Sequence, residues 1–151
     1  MQYTMPHFMG YRFALFNYAT KETEGYVDFD YFKIEDKISD CRWADVCYAD
    51  DELEGHKLDI YLPDTGKSSH KVVVLIYGSA WFANNMKQNA FQVFGRSLLD
   101  KGFAVVSINH RSSRDAKFPA QINDVKAAIR FIRANAAKYK LDTSFIGITG
   151  F

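Results

Sequence analysis

Cysteine, proline, net charge and long apolar runs are all scarce in this sequence, and each scarcity removes a class of protein. There are two cysteines, Cys41 and Cys47, with no CxxC or Cys/His spacing around them, so neither a disulfide scaffold nor a zinc site is expected. They read as two small thiols of a reduced compartment. No apolar run approaches the ~18 residues of a membrane span; the longest, Val72–Tyr77 and Phe103–Ile108, are strand-sized. Met1–Gly10 has neither a basic start nor an apolar core, so no secretory leader is expected and a cytoplasmic chain is the default. Neither GxGxxG nor GK[ST] occurs, which argues against a dinucleotide fold and a Walker loop. No cofactor or metal is called for.

What is present is an ordinary globular composition: 151 residues, 48% apolar and 25% charged, enough for one domain or a large piece of one. The formal charge of +1 hides an asymmetry. Lys21–Glu54 carries twelve acids and four bases, whereas Gly55–Phe151 carries fourteen bases and six acids. Because those bases are dispersed, with no run and no aromatic interleaving, nucleic acid is not the expected partner. Twelve of the 24 aromatic residues fall in the first 50 positions. Residues 1–42 are therefore read as an N-terminal extension, acidic and aromatic, that caps the site or docks on the body. The alternation of Tyr26, Phe29, Tyr31 and Phe32 with acids gives no firm secondary structure.

From Trp43 the pattern sharpens. Trp43–Tyr48 and Lys57–Leu62 are strand-like runs around an acidic turn, Ala49–Gly55, and Pro63 ends the second. Val72–Tyr77 is a β-branched run halted at Gly78, as expected for a strand buried on both faces. Asn85–Lys101 places Phe91, Phe94 and Leu98 at helical spacing, and Gly102 suits the position after a helix end. Phe103–Ile108 is strand-like again. Pro119 opens a helix whose apolar stripe is expected at Ile122, Val125, Ile129, Ile132 and Ala136, with Asp124 in its first turn and Lys138 in its last. Ser144–Thr149 is a further buried-type strand ending at Gly150. Strand and helix alternate from Val72 onward, which predicts an α/β fold: a three-layer α/β/α sandwich on a mostly parallel sheet. Ligands in such sheets sit outside the carboxyl ends of the strands, so loops 77–85 and 109–118 are the ones to watch.

The first of these loops reads Tyr77-Gly78-Ser79-Ala80-Trp81. A glycine at a strand end followed by small residues can present successive N–H groups to an oxygen, which is how main chain builds an oxyanion hole; it can equally be a plain turn. The chain closes on Ile148-Thr149-Gly150-Phe151, a strand running into the first half of a G-x-S-x-G elbow. These features, together with Lys57-Leu58-Asp59-Ile60-Tyr61-Leu62-Pro63, Ser107-Ile108-Asn109-His110-Arg111 and Phe118-Pro119-Ala120-Gln121 with Asp124, resemble the α/β-hydrolase fold. The resemblance is to carboxylesterases and lipases with a His-Gly-Gly loop, and it runs in family order over residues 43–151, the N-terminal half of that fold.

The resemblance implies a serine carboxylic ester hydrolase acting through an acyl-enzyme on a small-molecule ester. It implies that the backbone of Gly78, Ser79 and Ala80 forms the oxyanion loop and that Trp81 and Tyr77 contact substrate. Tyr77 stands where the family usually has His, and Ser79 where it usually has Gly. The family order of Ser, then Asp or Glu, then His puts the nucleophile just after Phe151 and the acid and base beyond it, outside this sequence. A serine peptidase of the same fold and a non-catalytic binding module remain as alternatives. Trp81 reads either as core or as a wall of the acyl pocket, Arg111 as a structural hydrogen-bond hub, and His110 as structural or surface. His7, His56 and His70 read as surface histidines, and Asp50, Asp51, Glu52 and Glu54 as a solvated turn. A strand such as Ser144–Thr149 is expected inside the sheet, so residues 1–151 are not expected to fold as a stable monomer without a second segment or a further copy.

Overall fold

The computed structural model describes residues 41–150. The expected cap over residues 1–42 therefore lies outside the described residues, apart from Cys41 and Arg42. Five strands, β1 (Cys41–Cys47), β2 (Lys57–Tyr61), β3 (His70–Ile76), β4 (Ala104–Ile108) and β5 (Leu141–Gly150), form one sheet in the order β1-β2-β4-β3-β5. β3 pairs parallel with both β4 and β5, as the alternation from Val72 predicts. β1 and β2 add an antiparallel flank, so this part of the sheet is mixed. β5 is its outer strand among the described residues, beginning three residues earlier than expected.

Side chains alternate across the sheet with period two, which divides the core into two layers. Leu58, Ile60, Val72, Val74, Ala104, Val106 and Ile108 face one side and meet Ala128 and Ile132 of α3 (Ala120–Ala134). Tyr61, Val73, Leu75 and Val105 face the other and meet Ala90 and Leu99. Helices on both faces of the sheet give the three-layer α/β/α sandwich. Fully burying each such aliphatic side chain contributes about 1.5–3 kcal/mol, so these two layers dominate the stability of the sheet.

The expected helix over 85–101 is broken in character. It consists of α1 (Lys87–Ala90), a π-helical turn Phe91–Gly95 and α2 (Arg96–Asp100). The wide turn lets the Phe91 ring stack on Tyr61, with centroids 3.7 Å apart and 13° between planes. Gly95 makes room for that ring, because a Cβ at 95 would lie 2.2 Å from Phe91 Cδ2. Gly95→Ala is therefore expected to destabilise the protein by about 1–3 kcal/mol through overpacking, read as a lower urea midpoint at unchanged slope. An unchanged midpoint would mean that Phe91 leaves the stack without cost. Gly102 takes the expected role past α2: at φ +84° its N–H donates to Leu99 O at 2.8 Å, and Phe103 N–H donates to Leu98 O at 3.1 Å.

α3 keeps part of its expected stripe, with Ile132 in the core and Val125 and Ala136 packed against it, and departs from the rest. The helix buries Gln121, Asp124, Ala128 and Ile132, while Ile122 is exposed. Asp124 lies past the first turn and Lys138 lies beyond the helix end, so neither answers the helix dipole as expected. The helix is turned so that two polar side chains face inward, and the reason lies in the loop that precedes it.

Candidate active site

Because β3, β4 and β5 run parallel, their carboxyl ends open at one edge of the sheet. Ile76, Tyr77, Gly78, Ser79, Ala80 and Trp81 from the end of β3, His110 from beyond β4 and Gly150 from β5 line a cleft there of about 370 Å³. The sequence-expected loop and the strand into the expected elbow are thus brought together at one place.

The loop leaves β3 by an unusual backbone path. Ala80 has φ +48° and Trp81 φ +68°, two successive non-glycine residues in the left-handed region. Such conformations cost of order 1–3 kcal/mol each and persist where surrounding contacts hold them. Those contacts are identifiable. Phe82 N–H donates to Ser79 O at 3.0 Å, Ala83 N–H donates to Ser79 Oγ at 3.3 Å, and Ser113 N–H donates to Trp81 O at 2.8 Å. Ser79 itself is not left-handed, so a residue with a Cβ fits there without strain. The amides of Ser79 and Ala80 meet no acceptor among the described residues. The loop therefore carries two main-chain N–H groups without an acceptor, on residues that line the cleft.

Tyr77 is buried, and its hydroxyl donates to Ala83 O at 3.2 Å and to His110 O at 3.4 Å. Burial pushes its phenol up to about 12, so it stays a neutral donor at ordinary pH. Its ring stacks on His110 at 4.7 Å and 16°. The hydroxyl is thus engaged with main chain of the loops after β3 and β4 rather than offered to a ligand. Trp81, by contrast, is 62% exposed. That removes the core reading and leaves the wall of the cleft.

Behind the cleft sits a polar frame whose members are far apart in sequence. Arg111 reaches Asp124 with Nε at 3.0 Å from Oδ2 and Nη2 at 2.7 Å from Oδ1, and its own amide donates to Oδ2 at 2.9 Å. Burial of Asp124 would raise its carboxyl pKa, but the Arg111 hydrogen bonds and charge outweigh it and hold the group below the usual carboxylate range. His56 lies between Asp51, 2.7 Å from Nδ1, and Asp124 Oδ1, 3.2 Å from Nε2. His56 is therefore buried and bridging, not a surface residue, and Asp51 belongs to the frame rather than to a purely solvated turn. His70 is buried too, beside Thr65 Oγ1 at 3.5 Å. A polar local sequence makes both read as surface residues, whereas their burial follows from the way the chain packs around them. Arg111 is the hub that was expected.

A second set anchors α1. Lys87 Nζ pairs with Asp45 at 2.8 Å and with buried Asp59 at 3.2 Å. Asn109 Oδ1 accepts from Lys87 N–H at 3.0 Å, and Ser107 Oγ donates to Lys87 O. The burial of Lys87 would lower its pKa, but hydrogen bonds and charge from the two carboxylates outweigh that and raise it, so the ammonium stays charged. Nothing in the sequence around Lys87 signalled this contact. No cluster of His, Cys, Asp or Glu among the described residues could hold a metal ion, and no helix among them is long and apolar enough to cross a membrane.

A mixed sheet flanked by helices, with a left-handed loop and a paired strand end meeting at the carboxyl edge, defines an α/β-hydrolase-type scaffold. Residues 58–151 match the family described as BD-FAE, an α/β-hydrolase family of the hormone-sensitive-lipase and esterase kind, and the chain belongs to that family. Esterase LipQ of Mycobacterium tuberculosis is 39% identical over 79 residues, covering 52% of this chain and 18% of LipQ. The probable carboxylic ester hydrolase LipM of the same organism is 33% identical over 109 residues, covering 71% of this chain and 25% of LipM. Among solved structures, the bifunctional GH43-CE of Bacteroides eggerthii is 91% identical at a TM-score of 0.73, covering 100% of this chain and 21% of that one. A truncated form of a carbohydrate esterase from gut microbiota is 63% identical at 0.71, covering 72% of this chain and 38% of that one. The chain spans about a fifth to a quarter of the length of these two curated relatives.

Proposed function

We propose that this chain supplies the oxyanion loop and half of the substrate cleft of a carboxylic ester hydrolase acting on O-acylated carbohydrate. The observation that carries the reading is the pair of unpartnered amides at Ser79 and Ala80, held beside a cleft by two strained residues. An ester carbonyl becomes an oxyanion when a nucleophile adds to it. Donors already aimed at that oxygen stabilise the transition state without reorganising. In this reading the nucleophilic serine follows Phe151, a histidine takes its proton and later returns it to the departing alcohol, and an acid orients that histidine. The backbone N–H of the residue after that serine would supply a further donor. Trp81 forms an apolar wall of the cleft, and Tyr77 braces the loop through its hydroxyl. Similarity to two solved proteins, a carbohydrate esterase from gut microbiota and a bifunctional GH43-CE enzyme, supports a sugar ester over a lipid.

The test is the full-length protein assayed on an O-acetylated sugar, on p-nitrophenyl acetate and on a matching peptide amide. Release of acetate from both esters, with covalent capture of one serine by a phosphonate ester, is the expected result. Cleavage of the peptide in preference to the esters would favour the peptidase alternative. No turnover and no adduct would favour a binding module.

A further inference from the structure

We propose that His110 is a specificity-determining residue, whose Nε2 accepts a hydrogen bond from a hydroxyl of the substrate's sugar. This inference rests on the carbohydrate-ester reading above. His110 Nδ1 lies 3.0 Å from Arg111 O. A carbonyl only accepts, so Nδ1 carries a proton, and in the neutral ring Nε2 is left as a bare acceptor. Nothing among the described residues meets Nε2, yet no side-chain nitrogen or oxygen among them is both fully buried and without a partner. Nε2 therefore reaches the surface, although the residue as a whole is only 4% exposed. The open space that His110 borders is the cleft, which it shares with Ser79, Ala80 and Trp81.

The ring is also fixed in place. Tyr77 stacks on one side at 4.7 Å, the Trp81 ring stands 6.3 Å away, and the Nδ1 bond sets the tilt. A rigid acceptor costs little ordering on binding, which is what specificity for a hydroxyl requires. A sugar ester carries free hydroxyls next to its acylated oxygen. A simple aryl ester carries none, so it cannot use this nitrogen. The function is thus placed on discrimination between alcohols and not on the chemical step.

The experiment compares kcat/KM of the full-length enzyme for an O-acetylated sugar and for p-nitrophenyl acetate in three variants. His110→Phe keeps the stacking surface and removes both nitrogens. His110→Asn keeps a donor near the Nδ1 position. His110→Gln restores a polar atom near the Nε2 position. His110→Phe and His110→Asn are expected to lower kcat/KM on the sugar ester about 3- to 10-fold, mainly through KM, with the aryl ester unchanged and His110→Gln recovering part of the loss. An equal loss on both esters would overturn the proposal in favour of a purely structural role, and so would no loss on the sugar ester. A wild-type enzyme that cleaves the aryl ester but no sugar ester would instead overturn the carbohydrate reading, and this inference with it.

Discussion

Replacing Ser79 with proline in the full-length enzyme is expected to lower kcat about 10²- to 10³-fold, the usual loss for one oxyanion donor. Proline deletes the N–H at 79 and leaves every side chain of the frame behind the loop untouched. Ser79→Ala is the control. It removes only the Oγ that accepts from Ala83 N–H at 3.3 Å, one of several bonds holding the loop, so a loss within about 3-fold is expected. The conformations at Ala80 and Trp81 sharpen the comparison, because proline at 79 could also disturb these neighbours at φ +48° and +68°. Ala80→Gly separates the two effects. Glycine takes φ +48° without strain and keeps its amide, so it should leave kcat within a few-fold of wild type. If Ser79→Pro were as mild as Ser79→Ala, the oxygen would be held by other donors and the loop would be a turn and nothing more.

The parts of this fold that were legible in the sequence are those written in short-range patterns. The β-branched runs became β3 and β4, Gly102 took its left-handed place, and the loop at 78–81 faces the carboxyl edge as the strand–helix alternation requires. What escaped was written in long-range partnerships. Ile132, Val125 and Ala136 of the expected α3 stripe do pack on the core, but Ile122 does not, because counting apolar residues cannot foresee that Asp124 and Gln121 face inward. Asp124 does so to meet Arg111, and Gln121 to donate to Ser112 O and Ala116 O at 3.2 and 2.9 Å. His56 is burial of the same kind, since Asp124 lies 68 positions away along the chain. The π-helical turn at Phe91–Gly95 answers to Tyr61 on a neighbouring strand, which no periodicity within the helix reveals. Inward polar residues on an otherwise amphipathic helix, next to an arginine at a strand end, are the signal that could have located the frame.

That frame is the source of the second large effect. Asp124→Asn is expected to destabilise the full-length protein by about 3 kcal/mol, at the low end of the range for breaking a buried pair, because Arg111 is 30% exposed and water can partly replace the lost carboxylate. By contrast, neutralising Asp100, whose pair with Arg96 is 59% and 64% exposed, should cost under about 0.5 kcal/mol. The pH dependence follows from the direction of the Asp124 shift. A carboxylate held below its unfolded value of about 3.9 contributes stability that is fully present above that pH and is lost as pH falls through the lower, folded value. Wild type should therefore lose stability on acidification below about pH 4, and the Asn variant should show a shallower acid limb from its lower starting point. Activity should respond as well. The Arg111 amide on Asp124 fixes the chain directly after His110, and His110 forms the cleft wall on which Tyr77 stacks. Thermal melts from pH 3 to pH 8, with kcat/KM at the upper end, measure both consequences. A melting temperature within about 1 °C of wild type across that range would show that the loop between β4 and α3 is held by its backbone alone, and that the inward turn of α3 has another cause.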